Sequence, residues 1–201
     1  GGVPPHSGKI NITDNKLYFT STSGPFNNMD LNTNIITQLI IPTGLYTDDM
    51  CYIPADPFWV NPNIVILGEE IRNQGSYNKG GVVIDADTMT LYVLDLLPTY
   101  GIFYDPVTYN ILSTSNRGFI EVIYMETLLN LIANTIDSTI FSTDVYTFRG
   151  IIPNELLKTS CGYFATTWGL NEIPEQGHLV KFELKKVINP VITKTELSYR
   201  K

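Results

Sequence analysis

Charge is what this sequence has least of. Charged residues make up 16% of 201, well below the quarter or so of an ordinary globular chain. Only 13 residues are Lys or Arg, against 20 Asp or Glu, so the net charge is −7. Nucleic-acid binding needs clustered basic residues to neutralise phosphates. The nearest approach to a cluster is Lys181, Lys185 and Lys186, which a solvated strand edge explains, so nucleic acid is excluded as an expected partner. Histidine is limited to His6 and His178, and cysteine to Cys51 and Cys161. The cysteines form no CxxC and no metal-ligand spacing. A disulfide and a pair of buried thiols both remain open, with the lack of charge and metal motifs tilting toward thiols. No apolar run reaches the 18 residues of a membrane helix, and no signal-peptide pattern is visible. Gly1-Gly2 opens the chain without Met, as expected of a processed product or a piece of a longer protein. There is no P-loop, no Gly-x-Ser-x-Gly, no His-Glu-x-x-His and no EF-hand loop. The expectation is a protein without cofactor, metal or catalytic residues.

What the chain does have is apolar and neutral polar residues. Hydrophobic residues reach 43%, with 12 Tyr and 9 Phe. A chain of this length can bury about 70% of its unfolded surface in one domain. Its polar surface must come from Asn, Thr, Ser and Tyr, which suits packing against other protein chains or glycans. Asn11-Ile12-Thr13 is a glycosylation sequon.

A unit recurs along the chain. Gly81-Val-Val-Ile-Asp85-Ala-Asp-Thr88 has counterparts in Phe26 to Thr33, Gly118 to Thr127 and Gly177 to Lys186. In each, an alternating strand runs into a short polar turn. Asp30, Asp85 and Tyr124 hold the turn's first position, with Thr33, Thr88 and Thr127 three residues on. Asp at that position can bond the backbone two residues ahead. A further strand follows each turn, at 35–40, 90–94, 129–132 and 191–197. Two strands precede each: 9–13 and 17–21, 50–53 and 64–67, 100–104 and 111–115, 146–152 and 163–167. Glu121 to Ile136 could also form an amphipathic helix, but Val122, Ile123, Thr127, Ile132 and Thr135 favour strands. The repeat register agrees, so two strands are expected there.

The third unit, from Pro98 to Ile123, resembles the YVTN-type β-propeller repeat. Its Pro-Thr-Tyr-Gly-Ile start, Tyr104-Asp105-Pro106 turn, small-polar strand Ile111 to Ser115 and Gly118-Phe-Ile-Glu-Val-Ile123 strand carry the likeness. The family's Asp-x-x-Thr turn stands here as Tyr124-Met-Glu-Thr127, with the Asp lost. The likeness is best over residues 98–136 and loose elsewhere. It implies blades of four antiparallel strands, as in archaeal surface-layer-like proteins and streptogramin-lyase-like propellers.

The expected fold is therefore all-β: a β-propeller-like domain of four blades of four antiparallel strands, with a β-sandwich as the alternative. Residues 1–8 read as an extended arm and 9–197 as one domain, with blades at about 9–41, 44–97, 98–137 and 144–197. A lone four-strand unit cannot bury both its apolar faces, so neighbours, ring closure or a partner must cover them.

Two long loops are the candidate binding face, since loops on a rigid scaffold carry function. The first offers Arg72, Asn73, Gln74, Tyr77 and Asn78, and the second Trp168, Asn171 and Glu172, with His178 following. His178 is the candidate general base if the chain resembles the lyases in activity. The opposite face offers Phe58 and Trp59 between prolines, either an anchoring tip or a cover for the core. Asp48-Asp49 and Glu69-Glu70 are adjacent on strands, where side chains alternate and do not converge. Asp85 and Asp87 belong to the recurring turn and read as structural. The expected function is a non-enzymatic structural, adhesive or assembly module, extracellular, on an archaeal-type cell surface or in a virion as tail, fibre or adaptor. Its partners would be other protein chains, a homo-oligomer among them, and glycans, without membrane insertion. The alternatives are a soluble ligand-binding propeller and a streptogramin-lyase-like enzyme.

Overall fold

Short apolar runs bounded by turn residues build, among the described residues, sixteen strands and one helix. The computed structural model describes residues 5–11, 14–21, 25–41, 46–70, 81–94, 99–115, 119–133, 144–147, 151–169, 178–183 and 195–196. The first sheet is the antiparallel meander β1 (Pro5–Asn11), β2 (Lys16–Ser21), β3 (Phe26–Asp30) and β4 (Ile36–Leu39). The second repeats it with β5 (Tyr46–Ile53), β6 (Ile64–Glu70), β7 (Gly81–Asp85) and β8 (Thr90–Leu94). The third begins likewise with β9 (Thr99–Asp105), β10 (Asn110–Ser115) and β11 (Phe119–Tyr124). The fourth joins β13 (Ile151–Thr159), β14 (Gly162–Gly169) and β15 (His178–Phe182).

Burial explains how the sheets sit together. β6 reads Ile64-Val-Ile-Leu67, and all four side chains are buried. Such a run marks a strand packed on both faces. Its alternate residues serve two cores. Val65 and Leu67 join Tyr18 and Phe26 of the first sheet. Ile64 and Ile66 join Ile102, Ile111 and Ile123 of the third. The third sheet's other face puts Leu112, Ile120 and Val122 against Tyr163, Ala165 and Phe182 of the fourth. The sheets are thus stacked in chain order with an apolar layer between each pair. The leading strands follow the same order, β1 packing against β5, β5 against β9 and β9 against β13.

Three expectations need correction. Residues 129–132 are not a strand: α1 (Met125–Ile132) follows β11 directly. Tyr124 stands where the first two units have the turn-forming Asp, so no Asp carboxylate seeds the turn. Met125, Leu128 and Leu131 recur at helical spacing and are buried between the second and third sheets. Burial of that stripe outweighs the strand preference of the β-branched residues. Because the helix leaves the outer edge of β11 open, β12 (Asp144–Thr147) fills it. The single strand expected at 146–152 is therefore split, and its second half starts β13. Finally, β16 (Thr195–Glu196) pairs in parallel with β12. The last segment thus extends the third sheet to five strands, and the fourth sheet keeps three.

Candidate functional site

The turns that join strands on one face of the stack are made by the same local chemistry. Asp30 Oδ1 accepts the backbone N–H of Asn32 at 2.8 Å and of Thr33 at 3.0 Å. Asp85 Oδ1 accepts those of Asp87 and Thr88. Asp105 Oδ1 accepts that of Val107, and Thr108 Oγ1 donates to Asp105 Oδ2. Asp56 Oδ1 does the same for Phe58 and Trp59. Four residues after each Asp the backbone turns left-handed: φ is 58° at Asn34, 54° at Val60, 56° at Met89 and 57° at Tyr109. This is the tight hairpin turn that ends on a left-handed residue. The Asp85 turn is structural, as its recurrence suggested.

Each first turn also docks on the next sheet. Asp14, in the β1–β2 turn, accepts Asn63 Nδ2 at 3.0 Å. Asn63 is buried and fully used. Its Nδ2 also reaches Asp87, while its Oδ1 accepts Tyr52 Oη at 2.6 Å and the N–H of Ala55 at 3.1 Å. The β5–β6 turn presents Phe58 and Trp59 to Tyr109 of the third sheet, with ring centroids 6.4 and 5.7 Å apart. The β9–β10 turn delivers Asp105 to the fourth sheet. There Lys158 Nζ donates to Asp105 Oδ2 at 2.5 Å, and Tyr163 Oη donates to the same oxygen.

The Asp105 cluster is built to hold charge still. Burial would raise the Asp105 carboxyl, but the bonds from Lys158, Tyr163, Thr108 and the Val107 amide outweigh it and hold it at about 2. Burial would lower the Lys158 ammonium, yet its bond to Asp105 raises it instead. Burial and the anionic acceptor both raise Tyr163. A base or nucleophile needs its pKa brought toward neutrality, and these shifts run the other way. Nearby, burial pushes Tyr104 up to about 12 and raises Tyr52 as well.

Beside these turns lies an open depression of about 580 Å³, lined by Asp56, Pro57, Val60, Asn61, Asp85 and Ile132 among others. Val60 in its wall is 84% exposed, Phe58 on the same turn is 77% exposed, and Val107 on the neighbouring turn is exposed too. Asp56 and Asp85 each commit Oδ1 to their own turn. Buried Asn61 donates to the Pro54 and Pro62 carbonyls, while its Oδ1 has no partner among the described residues. The arrangement suits an apolar group next to a cation or hydrogen-bond donor. Among the described residues, no three His, Cys, Asp or Glu side chains are grouped to hold a metal ion.

The sequence candidates divide accordingly. Trp59 folds back against the core between the second and third sheets, while Phe58 stands out as a tip. Trp168 and His178 lie at neighbouring ends of β14 and β15, His178 opposite Thr167 and Trp168 opposite Ile152 of β13. Arg72, Asn73, Gln74, Tyr77, Asn78, Asn171 and Glu172 lie outside the described residues. Sequence reasoning missed the Asp56 turn because Trp59 stands where the other turns carry Thr. Its signal was an Asp in the segment between β5 and β6. Val60, Asn61 and Ile132 had no signal at all.

No protein-family profile and no curated protein sequence matches the chain. Solved structures do. An auxiliary nutrient binding protein from Bacteroides thetaiotaomicron aligns over 92% of this chain with a TM-score of 0.61 and 13% identity. The chain spans 40% of that protein's length. The computationally designed Ika4 protein aligns over 90% of this chain and 92% of its own, with a TM-score of 0.54 and 9% identity. At these identities the likeness is one of fold.

Proposed function

We propose that the chain is a non-enzymatic recognition and assembly module whose sheets radiate like the blades of a propeller. Its setting would be extracellular, in a virus particle or on an archaeal-type cell surface. The radial arrangement is supported by the serial packing of the leading strands and by the apolar layers between successive sheets. The YVTN-like third unit agrees with it. The recognition role rests on one observation: exposed Val60 lines a depression together with Asp56 and Asp85, and exposed Phe58 stands on the same turn. Exposed apolar tips beside unsatisfied polar groups are what partner surfaces present. The partner that fits is a protein segment pairing Lys or Arg with an apolar residue.

A peptide array varying basic and apolar residues, probed with the folded chain, tests this directly. The native chain should retain basic–apolar peptides, and Phe58→Asp and Val60→Asp should lose them. Equal retention by the variants, or none by the native chain, would overturn recognition by this face. Lyase turnover abolished by His178→Ala in a folded protein would overturn the non-enzymatic reading.

A further inference from the structure

The outer strands of the sheets are not protected alike. Strand edges offer unpaired N–H and C=O groups, which proteins normally blunt with charge, cover or distortion. β12 is covered by β16. On β15, Lys181 is exposed, and exposed Glu183 follows the strand. β8 half-buries Leu91 and Tyr92 against the core. β4 has the least protection among the described residues: Leu39 alone is half-buried against the core, and no strand, charge or cover lies on its edge. It is the edge of the first sheet, and no charged residue occurs between Asp30 and Asp48. Ile36 is 49%, Ile35 65% and Ile40 75% exposed.

The register fixes which backbone groups face outward. Asp30 N–H donates to the Ile35 carbonyl, and Asn28 pairs with Thr37 and Phe26 with Leu39. In an antiparallel ladder, alternate residues bond to one side. Residues 35, 37 and 39 therefore serve β3, and the N–H and C=O of Ile36, Gln38 and Ile40 point away from the sheet. About Gln38 the sequence matches isoleucine with isoleucine at 35/41 and 36/40, with Thr37 against Leu39 the one mismatch: Ile35-Ile36-Thr37-Gln38-Leu39-Ile40-Ile41.

From these features we infer that β4 pairs antiparallel with β4 of a second copy about a twofold axis at Gln38. In that register Ile36 bonds Ile40 of the other copy, Gln38 meets its own counterpart, and Ile40 bonds Ile36. Every outward N–H and C=O of the three residues finds a partner. The exposed isoleucines cover one another, and no like charges oppose in a chain of net charge −7. A twofold interface must be self-complementary, and antiparallel pairing on such an axis requires opposed residues of equal parity. The centre at Gln38 satisfies both conditions. A ladder this short buries less than a standard interface, so association should be weak and concentration-dependent.

This surface is separate from the turn face, so its failure leaves the peptide test untouched. Light scattering after size exclusion, from about 10 µM to about 1 mM, should show the native chain passing from monomer to dimer. Ile36→Lys and Ile40→Lys, both at exposed positions and checked for native circular dichroism, should remain monomeric at the top of the range. Gln38→Cys in a Cys161→Ser background should cross-link into a covalent dimer with a short bismaleimide. A native chain that stays monomeric throughout overturns the inference. A dimer that survives both lysine variants overturns it too and assigns assembly to another surface. A dimer that forms but does not cross-link at residue 38 overturns the register.

Discussion

Asp105, at the end of a strand in the third sheet, accepts the Lys158 ammonium of the fourth sheet at 2.5 Å. The carboxylate is buried and Lys158 lies 5.2 Å from the centre of the Tyr163 ring, so the three side chains form one inter-sheet latch. Removing the carboxylate leaves the partly exposed Lys158 ammonium without its counter-charge and hydrogen-bond acceptor, at a cost of about 2 kcal/mol. Asp105→Asn should lower the unfolding free energy by about that amount, read from urea denaturation at pH 7. An unchanged midpoint would mean the latch contributes nothing.

The same carboxylate predicts acid sensitivity. Its native value is about 2, against an ordinary 3.8. Between those values the unfolded chain binds the proton and the folded chain does not, so stability falls as pH drops. The contribution is fully present above about pH 4 and gone below pH 2, and amounts to about 2 kcal/mol. Urea midpoints at pH 6, 4 and 2.5 should fall for the native chain and fall less steeply for Asp105→Asn. Parallel slopes would place the titration elsewhere.

How far the sequence carried this structure depends on the range of the forces involved. The Asp30 and Asp85 turns were legible because an Asp carboxylate bonds amides two and three residues ahead, inside the window in which a sequence is read. The strands around them followed from the short apolar runs Val82 to Ile84 and Ile64 to Leu67. The latch was not legible, since Asp105 meets Lys158 and Tyr163 only after two sheets have packed. Likewise nothing local told that Trp59 would turn inward and Phe58 outward. The helix was misjudged for the opposite reason: the local strand preference of Thr127 and Ile132 was real, but the burial of Leu128 and Leu131 decided.

That helix begins without a side-chain cap. Tyr124 occupies its N-cap with φ −82° and ψ 141° and makes no capping bond. An Asp there would accept a first-turn N–H, worth about 1 kcal/mol over Ala. Tyr124→Asp should therefore be more stable than Tyr124→Ala by about that margin in urea. Equal stability would show that the geometry cannot accept a cap.

Val60 sits at φ 54°, where a β-branched side chain is strained. It is also highly exposed, so little packing offsets the strain. Val60→Asn, a residue that accepts this conformation, should raise stability by about 1 kcal/mol. A loss would mean that the Val60 methyls pack on the rim of the depression more than their exposure suggests.

The two cysteines should behave as chemically distinct thiols. Cys51 lies in β5 within the core between the second and third sheets. Cys161 lies exposed in the turn between β13 and β14, where its backbone N–H bonds Thr159 Oγ1 at 3.1 Å. No disulfide joins them, and the sequence-based preference for two buried thiols holds for Cys51 alone. Thiol reactivity follows exposure and thiolate character. Ellman's reagent should titrate one thiol per native chain quickly and the second only on unfolding. A reductant should leave the melting temperature unchanged, because there is no cross-link whose loss would enlarge the unfolded ensemble. A reductant-dependent drop in melting temperature, with neither thiol reactive beforehand, would show that the chains pair these cysteines after all.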